Sequence, residues 1–456
     1  MQASRALTAL AGVVGLTLAT LTASIPASAT PVRPAGTTTA TAASPDFDGD
    51  GMVDVATAVT PNADESALRV HYGSGSTVTF TTAQLGARDE CLGAVFAHDL
   101  NGDGYSDLVV SVATASGRQV DLLPGSAAGL DPQTPVVIPA PAEIGDKGAF
   151  GASFAVVDEP VRRLAIGVGY VYGDFVGAVV LYDLDADGRP SGSPQVITPS
   201  SVGISDSSSH FGESLASAAN LLFVGAPVAD VGTVLDAGAV AVLSLDADGV
   251  AASRIVSQAT KSVTGTPARK DGFGSSLAAA GGYLAVGIPG DSVGRTKNTG
   301  SVELFRISNG VITPVRRLSQ ATAGVPGTAE KSDRFGASVA LGTVCSGVTG
   351  VVVGGPNEKL GSHYSAGSAW VVPIKAGPRC TAHQLYPGHG LTGKPRYGLS
   401  LGSSVAVVRA AGATRDTVVL GGTGDDHDSG RLVTWSTTTR KVLSSWTESV
   451  YSIAGR

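Results

Sequence analysis

One spacing constrains this chain more than any other feature. Five aromatic–glycine pairs, Phe150-Gly151, Phe211-Gly212, Phe273-Gly274, Phe335-Gly336 and Tyr397-Gly398, follow one another at intervals of 61, 62, 62 and 62 residues. Each opens the same pattern: FGASF, FGESL, FGSSL, FGASV and YGLSL place a serine three residues after the aromatic. An apolar run follows and ends in a Gly-x-Pro-like turn at Gly225-Ala226-Pro227, Gly287-Ile288-Pro289 and Gly354-Gly355-Pro356, with looser versions at Gly167-Val168-Gly169 and Gly421-Gly422-Thr423. After a loop, a glycine opens a third run (GAVVLYDL, GAVAVLSL, GSVELFRI, GSAWVVPI, GRLVTWST), and a fourth, such as PQVIT or RRLSQ, closes the unit. A fixed period of this length marks a repeat architecture whose units cannot bury their faces alone.

Four short strands per unit, joined by hairpin-length turns, is the pattern of a propeller blade. Leu92-Gly93, 58 residues before Phe150, takes the aromatic–glycine slot of an earlier unit, and the segment from about 37 to 90 makes one more. The expected fold is therefore all-β, a seven-bladed β-propeller of four-stranded antiparallel blades, at approximately 37–90, 91–149, 150–210, 211–272, 273–334, 335–396 and 397–456. Composition agrees. The 61 glycines, with only 5% aromatic and 15% charged residues, suit short strands and tight turns rather than helices, and 43% hydrophobic residues supply a sizeable core.

Residues 1–29 read as a secretory signal peptide: Arg5 supplies the positive start, Ala6 to Ala23 an uncharged apolar stretch, and Ala27-Ser28-Ala29 the small-residue cleavage pattern. The competing reading is a membrane anchor, for which the stretch is short. Residues 30–44 are a linker or a closing strand, and 45–456 the propeller. The first unit has no aromatic–glycine pair, so its inner strand has to come from Thr37 to Ser44 or from Ser449 to Arg456. No other stretch is long and apolar enough to span a membrane, so the mature chain is expected to be secreted into an oxidising environment. There Cys345 and Cys380, in one repeat, could be bridged, leaving Cys91 as a buried or reactive thiol. The net charge of −7 argues against nucleic acid as partner, since phosphate binding needs a basic face.

A Phe-Gly start, a Gly-Ala-Pro turn and a closing strand of alternating aliphatic and aromatic residues resemble the FG-GAP repeat of integrin α subunits and their bacterial relatives. The resemblance covers essentially the whole chain after residue 29. It implies a seven-bladed propeller, in agreement with the repeat count.

Two segments carry the most chemistry. Residues 46–54 read DFDGDGMVD and residues 99–107 read DLNGDGYSD, both fitting D-x-[DN]-x-D-G-x-x-D. Side-chain oxygens at alternate positions converge when the backbone wraps round a point, the glycine at position six permits the sharp turn, and position seven offers a backbone carbonyl. Such a set of hard oxygen ligands suits calcium. The expected ligands are Asp46, Asp48, Asp50 and Asp54 with the Met52 carbonyl, and Asp99, Asn101, Asp103 and Asp107 with the Tyr105 carbonyl. That makes two structural Ca2+ ions. The competing reading is a turn whose side chains bond only to its own backbone. Neither is an EF-hand: position twelve is Thr57 or Val110, and the flanks read as strands. The resemblance places such loops between the first and second strands of a blade. Integrins carry them in later blades, whereas here they fall in the first two. Asp183 to Gly188 and Asp246 to Gly249 look acidic enough to bind metal, but they follow third strands, where Asp-Gly is a hairpin signal.

No catalytic residues and no organic cofactor are expected. Gly398-Leu399-Ser400-Leu401-Gly402 fits a nucleophile elbow, but that motif needs a strand–turn–helix context, and Ser400 reads as the repeat serine, packing or bonding within its own blade. What is left is the propeller's loop face, formed by second-to-third-strand loops and blade-to-blade links. The resemblance implies that this face meets the ligand. It carries Arg269, Lys270, Asp271, Arg295, Lys297, Glu358, Lys359, His363, Tyr364, Lys394 and Arg396, and the acidic run Asp425, Asp426, His427 and Asp428. Polar variety on scaffold loops is how binding surfaces are made, and is also how a solvated loop looks. The leading expectation is a binding or adhesion module for an extracellular protein or glycan. The alternative is an extracellular hydrolase or lyase acting on a polysaccharide or phosphoester.

Overall fold

The protein is described here by a computed structural model, covering residues 44–62, 65–86, 92–114, 117–145, 148–170, 177–204, 209–424 and 430–455. The proposed signal peptide, most of the linker, Cys91 and the run Asp425 to Asp428 lie outside the described residues. Those residues form seven antiparallel sheets and no α-helix, so the chain is the expected all-β, seven-bladed propeller.

Counted outward from the axis, the first blade is Val450–Ala454, Val55–Asn62, Glu65–His71 and Thr77–Thr81. The second is Leu92–His98, Asp107–Thr114, Gly117–Leu123 and Val136–Pro139. Gly148–Val157, Arg163–Tyr170, Ala178–Leu184 and Pro190–Ile197 make the third. The fourth is Leu215–Ala218, Leu221–Ala226, Ala239–Asp246 and Gly249–Val256. The fifth runs Ser276–Ala280, Tyr283–Ile288, Ser301–Ser308 and Val311–Leu318. In the sixth, Ser338–Cys345, Val348–Gly355, Ser368–Pro373 and His383–Pro387 are followed by a two-residue parallel strand, Gly390–Leu391. Ser404–Val408, Thr417–Gly422, Arg431–Ser436 and Lys441–Trp446 complete the seventh.

The inner strands neighbour one another in cyclic order, and the circle is completed where Val450–Ala454 pairs with Val55–Asn62. The C-terminal segment thus supplies the inner strand that the first unit lacks. Closure of the ring leaves the inner strands' free edges short and turned toward the central channel.

Second strands are packed on both faces and read as continuous apolar runs, as in Leu221–Ala226, where every residue is buried. Fourth strands lie at the rim and are half solvated, as in Gly249–Val256. Between each pair of blades lies a core of branched aliphatics around one anchor: Phe150, Phe211, Phe273 and Phe335 are all fully buried. Each anchor contributes about 1.5–3 kcal/mol of burial. Cys345 and Cys380 are bridged, tying the end of the sixth blade's inner strand to the turn before its fourth.

The geometry explains the repeat. In the third blade, Phe150 and Ser153 flank a bulge with Gly151 at φ +87°. The following blades set Gly212, Gly274 and Gly336 at φ 88° to 91° against a third-strand carbonyl of the preceding blade. The repeat serine, expected to bond within its own blade, instead reaches the next one. Ser153, Ser214, Ser276 and Ser338 Oγ donate to the carbonyls of Gly212, Gly274, Gly336 and Gly402 at 2.7–2.9 Å. The turn glycine is needed at the same contact: a Cβ on Gly225 would lie 2.1 Å from Ser214 Oγ and 2.3 Å from Gly274 O.

The clip also corrects one reading of the sequence. The seventh blade's anchor is Leu401-Gly402, not Tyr397-Gly398. Leu401 is fully buried and bridges Gly367 as Phe335 bridges Gly300, whereas Tyr397 is 62% exposed. Ser400 is therefore not the counterpart of Ser338. It precedes the anchor, at φ +50°. Leu92, by contrast, holds the slot expected of it, flanking the same kind of bulge with Val95.

Candidate functional site: the paired carboxylate loops

Both nine-residue segments lie where a first strand gives way to a second. Residues 46–54 lead into Val55, and residues 99–107 join Leu92–His98 to the strand that begins at Asp107. Their hydrogen bonds match position by position. Asp46 Oδ1 and Oδ2 accept from the amides of Gly49 and Gly51 at 2.7 and 3.1 Å, and Asp99 accepts from Gly102 and Gly104 at 2.6 and 3.1 Å. Asp48 and Asp50 accept from the amides two residues on, as do Asn101 and Asp103. These bonds wind the backbone round its own side chains. The winding needs positive φ at positions four and six: Gly49 and Gly51 stand at 72° and 84°, Gly102 and Gly104 at 79° and 94°.

The first loop brings one oxygen each of Asp46, Asp48 and Asp50 within 4.8 Å of one another. Asp50 is exposed, Asp48 partly so and Asp46 buried. Burial pushes the Asp46 carboxyl up, against its two amide donors, and the charges of Asp48 and Asp50 add to the rise. Three crowded carboxylates with hard oxygens facing water fit a divalent cation of the calcium type. In the second loop Asn101 replaces one carboxylate, and its Nδ2 donates to Asp103 Oδ2 at 2.9 Å.

Position nine is placed differently. Asp54 is fully buried, and its two oxygens accept from Phe47 N at 2.6 Å and Gly73 N at 2.8 Å. Asp107 does the same with Leu100 and Gly125, at 2.8 and 3.0 Å. Burial pushes these carboxyls up to about 7 and about 6, against the amides that bond them. Each thus fastens the start of its loop to the connection between the third and fourth strands of its blade. The Met52 and Tyr105 amides are held by Asp50 and Asp103.

The two loops are one structure. Asp46 N donates to Ser106 Oγ at 3.0 Å, Ser106 N to Asp46 O at 2.7 Å, and the Tyr105 ring covers Gly49 so closely that a Cβ there would lie 2.4 Å from it. The third blade continues the row: Arg162 Nη1 donates to Leu100 O at 2.9 Å. Buried Arg163 bonds Asp183 at 2.5 Å and the Asp246 and Ala247 carbonyls at 2.6 and 2.7 Å, so both acidic hairpins are rim turns, as expected.

Residues 46–110 match the family described as the FG-GAP-like repeat. Over this stretch the chain is similar to an FG-GAP-like repeat. The match spans both carboxylate loops, and the seven-bladed ring agrees with the fold that the FG-GAP resemblance implies. No curated protein sequence matches the chain. Among solved structures, the chain is similar to a periplasmic gluconolactonase of Pseudomonas aeruginosa, at 14% identity and a TM-score of 0.47 over 88% of this chain and 96% of that one. It is also similar to an apocarotenoid oxygenase of Synechocystis, at 9% identity and a TM-score of 0.43 over 88% and 92%.

At the other end of the blades, the loop face differs in part from the sequence reading. Arg269, Lys270, Arg295, Lys297, Lys359, Lys394 and Arg396 sit on it as exposed or half-exposed groups. Glu358 does not, being buried at 5% exposure, and Asp271, although it borders the basin on this face, is itself buried at 2%. Asp271 closes a turn by accepting from Ala268 N at 2.8 Å, and Glu358 accepts from Gln320 Nε2 at 2.9 Å. Three residues of this face that the sequence did not single out, His210, Asn298 and Arg334, line a basin of about 790 Å³ together with Arg269, Lys270 and Lys297. Their one signal is position, just before an anchor or a third-strand glycine. The central channel is walled by inner strands, chiefly Val, Ala, Leu and Phe side chains. At one end of it His98 Nε2 lies 3.5 Å from Asp158 Oδ1. No helix among the described residues is long and apolar enough to cross a membrane.

Proposed function

We propose that this chain is an exported binding module: a propeller braced by calcium in its first two blades, which takes an extracellular protein or glycan on its loop face. The observation that carries the reading is the division between the two ends of the blades. Carboxylate loops with calcium-type donors stand at the first-to-second-strand turns, and a wide polar basin stands at the opposite end. Calcium bound by Asp46, Asp48 and Asp50 would relieve their mutual repulsion and hold the turn that packs on Ser106 and Tyr105. The second loop would take its ion through Asp99, Asn101 and Asp103. Neither ion faces the basin, so the role is a structural one.

The test is co-sedimentation of the purified chain with extracellular polysaccharide and cell-envelope fractions, in calcium and in excess chelator, with soluble sugar measured in the supernatant. Binding in calcium without sugar release supports the reading. Sugar release would put a hydrolase or lyase first, and binding to none of the fractions would end the binding-module reading.

A further inference from the structure

The basin on the loop face is formed by the second-to-third-strand loops of the fourth, fifth and sixth blades and by the segments that lead into those blades. Four exposed cations meet there: Arg269, Lys270, Lys297 and Arg334. Arg269 Nε stands 3.9 Å from Asp236 Oδ2. Lys270, Lys297 and Arg334 have no side-chain hydrogen bond or ion pair among the described residues. Glu213, Asp236 and Asp271 line the same basin, so on a chain of net charge −7 these four cations against three carboxylates leave a local excess of positive charge.

The backbone supplies an independent observation. His210, Asp236, Lys270, Asn298, Ser332 and Arg334 all line the basin, and all have positive φ, between 54° and 70°. The fold imposes these turns: His210 and Arg334 each precede an anchor, and the same position before Phe273 is Gly272, at φ 69°. Glycine takes this conformation without strain, whereas a long polar side chain does not. Neither Lys270 nor Arg334 returns a side-chain hydrogen bond or ion pair among the described residues for it. Strain held in this way points to side chains wanted at that place for something outside the fold.

The second-to-third-strand loop of the sixth blade, which reaches the basin at Asn357, leads on to two exposed aromatic rings. The loop that begins at Asn357, on the basin's edge, carries Lys359 and Tyr364, with Lys359 Nζ 4.5 Å from the centre of the Tyr364 ring. Gly398 N donates to Tyr364 O at 3.1 Å, which puts Tyr397 next to it, and the two tyrosines are 59% and 62% exposed.

We propose that this basin is a binding site for an acidic polysaccharide. Arg269, Lys270, Lys297 and Arg334 take its carboxylate or sulfate groups, and the tyrosines stack against the apolar faces of its sugar rings. Guanidinium and ammonium groups pair with any such oxyanion. Sugar is chosen over an acidic peptide because Asn298, Ser332 and Asn357 offer amide and hydroxyl partners for ring hydroxyls among the cations. The inference rests on the binding reading above and names the ligand class.

The full chain lacking residues 1–29, in calcium at low ionic strength, is titrated with polygalacturonate, dextran sulfate, poly-glutamate and neutral dextran. The expected result is binding of one or both acidic glycans at least tenfold tighter than dextran, weakening as salt is added. The preferred one tells carboxylate from sulfate. Lys297→Glu with Arg334→Glu should weaken it a further tenfold or more at unchanged Tm, whereas Arg254→Glu, on the outer strand of the fourth blade, should change nothing. Equal binding of dextran, tighter binding of poly-glutamate, or indifference to the double reversal overturns the proposal. If the double-reversed chain still sediments with extracellular material, this site fails and the binding module stands. If the unaltered chain sediments with none, both fail.

Discussion

Glu448 accepts a hydrogen bond from Arg69 Nη1 at 2.7 Å across the seam where the seventh blade meets the first. His71 Nε2 lies 3.2 Å from the same carboxylate, and its ring stacks on Trp446 at 4.2 Å. Glu448 immediately precedes the segment that holds the closing strand, so this buried cluster acts as its latch. Removing one partner of a buried ion pair typically costs about 3–5 kcal/mol. Glu448→Ala should therefore lower Tm by several degrees in calorimetry, where Glu143→Ala on the surface should not.

The latch has a pH signature. Burial pushes the Glu448 carboxyl up, but the hydrogen bonds and charges of His71 and Arg69 outweigh it and hold it below its ordinary 4.5. A carboxyl held low in the folded state gives stability that is present above its unfolded value and lost as pH falls through the folded one. The Tm difference between the chain and Glu448→Gln should thus be full above about pH 4.5 and shrink below it. An undiminished difference at pH 3 would show that the charge is not what latches the strand.

The opposite sign is expected at Glu358. In the fifth blade, buried Asp291 pairs with Arg317 and accepts from Ser301 Oγ at 2.5 Å. In the sixth the corresponding places hold Glu358, Gln384 and Ser368, and Glu358 accepts only from the amides of Gln320 and Gln384, at 2.9 and 3.3 Å. Burial, helped by the charge of Asp333, pushes its carboxyl up to about 8. A carboxyl raised in the folded state gives stability that is present at low pH and lost as pH rises through the folded value. Melting curves from pH 6 to 9 should fall less steeply for Glu358→Gln, with the variant the more stable at pH 9.

Calcium should raise Tm. At an ion concentration one hundred times Kd the linkage is about 2.7 kcal/mol per site. Chelator should reverse it, and Asp48→Ala with Asp103→Ala should abolish it while leaving the chelated Tm close to that of the unaltered chain. A calcium response that survives both substitutions would mean that the ion binds elsewhere.

The anchor assignment in the seventh blade is separable by mutation. Leu401→Ala should cost about 2–5 kcal/mol as a buried large-to-small change, and Tyr397→Ala should stay within about 0.5 kcal/mol. Ser276→Ala, which breaks a clip between blades, should cost about 1 kcal/mol, with Ser400→Ala near zero. Urea titrations rank all four.

The fold was legible because each blade needs an aromatic between sheets, a glycine under the neighbour's carbonyl and a serine to clip it, all at fixed offsets. Where Tyr397-Gly398 imitates that signature, the sixth blade's extra turn around Gly390–Leu391 has delayed the true anchor by four residues, and an insertion inside a repeat cannot be told from the repeat by spacing. In the loops, the wrapping of Asp46 and Asp99 follows from nine consecutive residues. The bracing by Asp54 and Asp107 does not, because Gly73 and Gly125 come from a different hairpin. The basin was least visible. It assembles side chains from three blades, and the sequence offers no sign that His210 and Arg334 line one basin.

Pairing Val450–Ala454 with Val55–Asn62 has a consequence for how the molecule is made. The first blade stays one strand short until Val450–Ala454 has been synthesised, after the other six blades, so vectorial, domain-by-domain folding cannot finish it as it emerges. Six blades can condense as they emerge, but the incomplete first one presents an open edge to any strand within reach. Assembly then ends in one long-range search, slow because the loop it closes takes in the other six blades. A chaperone would be most useful at that stage.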